Sequence, residues 1–133
     1  MQAALLRIFL LAAIFTTTAL ADGVREAKPG SSERKAIMET MRGPVSKRIG
    51  KRVVFTGDVK ISGAWATFSG DAEPADGIPP KGEAAEALSL DLCAVLRLEK
   101  GKWKLIVWDF AGDIGVWDHA RMKYPAIPKE LIP

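Results

Sequence analysis

The stretch that decides the fold is "ALSLDLCAVLRLEKGKWKLIVWDF", Ala87 to Phe110. Its first half alternates. Leu88, Leu90, Leu92, Ala94, Leu96 and Leu98 fall on one side, with Ser89, Asp91, Cys93, Val95, Arg97 and Glu99 on the other. A period of two is the pattern of a β-strand. Lys100-Gly101 interrupts it as a tight hairpin turn. In the returning strand Trp103, Leu105 and Val107 share one face, and Lys104, Ile106 and Trp108 the other. This hairpin sets Leu98 and Leu96 near Trp103 and Leu105.

Working upstream, "DAEPADGIPPKGEAAE" (71–86) holds Pro and Gly without periodicity and is expected to be a surface loop. Before it, "RVVFTGDVKISG" alternates again, with Val53, Phe55, Val59 and Ile61 on one face. Gly57 falls in that apolar row and suggests a bulge or a sharp bend. Ser62-Gly63 is a turn. "AWATFSG" is then a strand, with Trp65 and Phe68 on opposite faces. Further upstream the period lengthens. In "ERKAIMETMR", Ile37 and Met41 lie four apart beside Met38, behind a Ser31 or Ser32 N-cap and the first-turn acid Glu33. Gly43-Pro44 is expected to stop this helix, with one further turn closing at Gly50. Downstream of the hairpin, "VWDHARMKY" predicts a short helix. The Pro-rich tail "PAIPKELIP" is expected to be extended and pinned by Ile127, Leu131 and Ile132.

The expected fold class is therefore α+β. An N-terminal helix packs on a curved four-stranded antiparallel meander, followed by a short C-terminal helix and a Pro-rich tail. "ERKAIMETMRGPV", "VVFTGDVKISGAWATFSG", "LCAVLRLEKGKWKLI" and "YPAIP" are similar to a family of small secreted bacterial proteins without an assigned activity. One helix against a curved antiparallel sheet resembles the cystatin-like or NTF2-like superfold. That resemblance implies a structural kinship and no particular chemistry.

The N-terminus reads as an address. Arg7 precedes an apolar run from Ile8 to Phe15, and Ala19-Leu20-Ala21 is a small-x-small cleavage pattern. The run is shorter than the roughly 20 residues of a spanning helix. The expected organisation is a Sec-type signal peptide at 1–21, a flexible leader at 22–30 and a single domain at 31–133. The product is exported to the periplasm or beyond, with no integral membrane segment after cleavage. Of the chain's 19 basic and 16 acidic residues, the signal segment takes only Arg7, so the mature charge is +2. That balance argues against nucleic acid as a partner. Lys47-Arg48 and Lys51-Arg52 form one basic patch, expected to be a solvated face. Cys93 is the only cysteine and cannot form an intrachain disulfide.

The densest chemistry lies between Trp103 and Pro125, which hold three of the four Trp residues, the only Tyr and the only His. Asp109, Asp113, Asp118 and His119 do not make a metal set. Adjacent Asp118 and His119 point about 100° apart on a helix, and no HxH, HExxH or CxxC anchor is present. No metal or other cofactor is expected. Asp109 and His119 are the candidate acid/base pair, because His titrates near neutrality and Asp109 ends a strand beside two rings. GxSxG, GxxxxGK[ST] and GxGxxG are all absent. Trp65, Trp108 and Trp117 are the candidates for binding a protein partner or a small apolar or aromatic ligand. The leading expectation is a non-enzymatic binding module. The alternatives are a small acid/base enzyme using Asp109 and His119, and a homodimer joined through an open sheet face near Val95, Ile106 and Trp108.

Overall fold

A computed structural model describes residues 23–81, 91–110 and 114–132. The segment read as a signal peptide, the second half of the expected loop, the start of the Leu88–Leu98 row and Asp113 lie outside the described residues.

The described chain is α+β. The strand β1 (Arg25–Glu26) leads into helix α1 (Ser32–Ile49), which is followed by β2 (Val53–Ser62) and β3 (Trp65–Pro74). The hairpin β4 (Asp91–Glu99) and β5 (Lys102–Phe110) comes next, then helix α2 (Ile114–Lys123) and a 3₁₀ turn at Lys129–Leu131. The sheet is antiparallel in the order β1-β2-β3-β4-β5. It has five strands rather than four, because residues expected in a flexible leader pair with β2, Arg25 opposite Ile61 and Glu26 opposite Lys60. Ala27 follows them, buried, with its N–H on the Val59 carbonyl at 2.8 Å.

Helix α1 begins where Ser31 accepts from the Arg34 N–H at 3.2 Å, and ends at Gly50, which is left-handed with φ 80°. It runs straight through Gly43-Pro44, where the sequence predicted a stop. A proline inside a helix costs about 3 kcal/mol. The helix continues because Ile37, Met38, Met41, Val45 and Ile49 form one stripe, all of it buried. Val45 and Ile49 reach the sheet only if the helix goes on, and burying such side chains is worth about 1.5–3 kcal/mol each.

That stripe covers one face of the sheet, against Val53, Val59, Ile61, Ala66, Phe68, Leu92, Ala94 and Leu96. The other face is covered too. Val116, Trp117 and Ala120 of α2, with Ile127, Leu131 and Ile132 of the tail, pack on Cys93 and Val95. The face expected to lie open near Val95 is therefore closed by the chain's own C-terminus, and Val95 is fully buried. The tail is pinned by the three predicted residues, but it turns through a 3₁₀ segment where an extended run was expected.

The β4–β5 turn is as predicted, with Leu98 opposite Trp103 and Leu96 opposite Leu105. Lys100 and Gly101 both take positive φ, 50° and 76°, as a two-residue hairpin of this hand requires. Beyond Leu105 the simple alternation fails. Val95 pairs with Val107, leaving Ile106 as an extra residue, a β-bulge. One extra residue reverses the faces that follow. Trp108 and Phe110 therefore join Trp103 and Leu105 on the α1 side, and Val107 goes to the α2 side. The sequence reading had placed Trp108 opposite Trp103.

β3 also runs further than expected, pairing Asp71 to Pro74 with the start of β2 where a loop was predicted. The register of β2 on β3 is unbroken, so Gly57 is not a bulge. It faces Gly70 directly, and the two strands approach so closely that a Cβ built on either glycine lies 2.6 Å from the other's Cα. Arg34 of α1 donates to the Gly57 carbonyl at 2.8 Å in the same place.

Replacing Gly57 or Gly70 by Ala should therefore lower stability by about 1–3 kcal/mol, as overpacking does. Gly43→Ala, at an exposed helical position with nothing within 4 Å of the new methyl, should raise it by about 0.5–1 kcal/mol. Urea unfolding midpoints measure both. A Gly57→Ala protein as stable as wild type would show that the close approach constrains nothing.

Candidate binding groove

Three elements meet at the far end of β5. Because of the bulge, Trp108 and Phe110 point toward α1 with their rings edge to face, centroids 5.8 Å apart at 84°. Arg48, in the last turn of α1, lies over both rings, its guanidinium carbon 5.1 Å from Trp108 and 5.4 Å from Phe110. The same guanidinium reaches the Asp109 carboxylate at 3.0 Å. The Phe110 N–H donates to that carboxylate at 2.8 Å. Arg48 was expected in a solvated basic patch. It is instead a tie across the strand end, placed by a helix that continues past Pro44. Cation–π contacts at exposed sites are worth roughly 0.5–1 kcal/mol each, enough to hold the rings and the carboxylate in one arrangement.

On the other side of β5 stands α2. It buries Val116, Trp117 and Ala120 and leaves Asp118, Arg121 and Met122 outside. Gly115 and His119, one turn apart, face the strand. Between helix and strand lies an open groove of about 690 Å³, lined among the described residues by Ile106 to Phe110 with Gly115, Val116 and His119. Ligand sites commonly measure about 300–1,000 Å³, with apolar walls and a few polar groups. Here the walls are Ile106, Val107, Trp108, Phe110 and Val116, and the polar groups are Asp109 and His119.

The structure thus brings Asp109, His119 and Trp108 to one groove, the first and last from β5 and His119 from α2. Asp109 is more than half exposed, and the groups that hold it are Arg48 and the Phe110 N–H. Trp117 is buried under the tail and offers no open surface. Trp65 stands elsewhere, 5.9 Å from Tyr124, with Arg97 over both rings at 5.5 and 5.7 Å. Arg97 is bonded to Glu99 at 2.8 Å, and Lys104 reaches the same carboxylate at 2.9 Å. Lys104 first and Arg97 next hold the Glu99 carboxyl below its usual range. This second aromatic group fastens the end of α2 to the sheet. The cavity beside it, about 200 Å³, is smaller than most ligand sites. The groove residues that the sequence did not single out for binding are Val107, Gly115 and Val116. The bulge places Val107 and the docking of α2 places Gly115 and Val116, and neither is marked by a motif.

Cys93 is buried beneath α2 and the tail, and burial pushes its thiol up, away from the reactive thiolate. Among the described residues, no three His, Cys, Asp or Glu side chains gather closely enough to hold a metal ion. No helix among them is long and apolar enough to cross a membrane. Comparison with protein-family models, with curated proteins and with solved structures finds no match to this chain.

One carboxylate pair has a consequence for pH. Asp71 and Asp91 face each other across β3 and β4. The hydrogen bond that the protonated Asp71 carboxyl donates to Asp91, desolvation, and the charges of Asp91 and Glu73 together raise the Asp71 pKa. The folded state thus holds this proton more tightly than the unfolded chain does. The stability it contributes is present in acid and is lost as pH rises through the raised value. Asp71→Asn should therefore melt higher than wild type at neutral pH. Its advantage should shrink below the ordinary carboxylate range. Thermal melts across that interval measure the difference, and an equal advantage at every pH would sink the argument.

Proposed function

We propose that this chain is an exported, non-enzymatic binding module whose binding face is the groove between β5 and α2. The observation that carries the reading is the groove itself. Its exposed lining mixes polar and apolar surface in similar measure, with Asp109 and His119 among apolar side chains, and its size suits a small apolar or aromatic ligand or the side chains of a protein partner. Trp108, one of the lining residues, is held in place by Arg48 over its ring. Export rests on the N-terminal pattern of Arg7, the Ile8–Phe15 run and Ala19-Leu20-Ala21. Within the α+β class, the resemblance to cystatin-like and NTF2-like folds belongs to this proposal, supported by one long helix laid across an antiparallel meander.

His119 is exposed and lines the groove, so His119→Trp fills it from outside the core. Native mass spectrometry of the protein from its own periplasm should show a bound mass in the wild type that the variant lacks. The unfolding midpoint should stay within about 0.5 kcal/mol, as for most surface changes. Bound mass retained in full by His119→Trp removes the groove as the site.

A second reading, the acid/base enzyme, draws on one observation: Asp109 and His119 line the same groove. Against it, the Asp109 carboxylate is already engaged by Arg48 and the Phe110 N–H. The copurified compound, incubated with the protein in heavy water, decides between the two. Deuterium entering a C–H bond of that compound, and failing to enter with Asp109→Asn, supports the enzyme. No exchange supports the binding module.

A further inference from the structure

The sheet has two edges of very different character. β1 is two residues long and offers little to another strand. β5 is nine residues long and, among the described residues, has no strand on its outer side. The turn fixes which of its backbone groups face outward. A two-residue turn makes Glu99 and Lys102 the hydrogen-bonded pair, so Trp103 and Leu105 turn their N–H and C=O groups away from β4. After the extra residue Ile106, the same holds for Trp108 and Phe110. Two side-chain contacts agree with this: the Thr40 hydroxyl donates to the Trp103 carbonyl at 3.5 Å, and the Phe110 N–H donates to Asp109. They cap the two ends of the edge. Leu105 and Trp108 lie between the caps.

We propose that this edge pairs with the same edge of a second copy of the chain, antiparallel about a two-fold axis between Ile106 and Val107. In that register Leu105 faces Trp108 of the second copy, so outward N–H and C=O groups meet outward N–H and C=O groups. Ile106 faces Val107, apolar against apolar. Lys104 faces Asp109, opposite charges that the two-fold axis repeats and that add to the pairs each already makes with Glu99 and Arg48. The bulge selects the partner. An edge bulge normally protects a sheet, because a regular strand loses register on crossing it. A second copy carries its own bulge at the same point, and the axis sets one against the other. The pairing shares Ile106 to Asp109 with the groove but does not depend on the ligand reading, since it uses their outward backbone and the Lys104–Asp109 charges and not Val116 or His119.

Sedimentation at increasing micromolar concentration should show a monomer passing to a dimer. Lys104→Asp or Asp109→Lys should each weaken the dimer by about tenfold, since two exposed charge pairs reverse together. The double variant should recover most of that loss. Hydrogen exchange on the unmutated protein supplies a readout that no folding defect can confuse: the amides of Leu105 and Trp108 should slow as the dimer forms. A chain that stays monomeric throughout overturns the proposal. So does a dimer that both single reversals leave at full strength, or one in which those two amides exchange at the monomer rate.

Discussion

Leu92 to Leu96 are buried on both faces of the sheet, and that requirement places the rest of the chain. Leu92, Ala94 and Leu96 need one apolar cover, and Cys93 and Val95 need another. Helix α1 supplies the first. It can do so along its full length only by carrying Pro44 in its interior. The second cover is α2 with the tail, locked by Ile127, Leu131 and Ile132 and by the Thr67 hydroxyl on the Leu131 carbonyl at 3.4 Å. The sheet is thus the middle layer of three. A strand covered on both faces reads as a continuous apolar run rather than an alternating one. "LCAVL" is such a run.

The cluster of Arg48, Trp108, Asp109 and Phe110 at the end of β5 follows from two departures from regularity. The extra residue at Ile106 turns Trp108 and Phe110 back toward α1, and the helical turn beyond Pro44 brings Arg48 over them. Each departure alone would leave the site incomplete. Without the bulge, Trp108 would face α2. Without the last turn of α1, Asp109 and the two rings would lose the cation that joins them. Gly57 and Gly70 make a comparable local exception, two missing side chains that let β2 and β3 approach and let Arg34 reach the backbone.

Much of the fold was legible. The helix start at Ser31, the hairpin at Lys100-Gly101, the register of Leu96 and Leu98, and the residues pinning the tail all rest on local chemistry. Caps, turns and period-two rows act within a few residues and can be read from a string. The misreadings have one cause: Pro44, the β1 pairing, the strand from Asp71 to Pro74 and the face of Trp108 each depend on contacts far along the chain. Of the candidate site, Asp109, His119 and Trp108 were named from their types alone, and all three line the groove. Trp65 and Trp117 were named on the same ground, and the structure uses them to fasten the C-terminal segment.

By itself, then, the sequence determined the class of the fold and the position of most turns and caps. It also determined the absence of the common catalytic motifs, because each of these is set by neighbouring residues. Only the tertiary structure decided that α1 passes through its proline and that β5 carries an extra residue. It alone decided that the second face of the sheet is closed by the tail, and that Arg48 is a tie rather than a solvated charge. Those outcomes are settled by burial summed over distant segments. A few kcal/mol of apolar contact outweighs a local preference of about the same size, and no single stretch of sequence contains both sides of that balance.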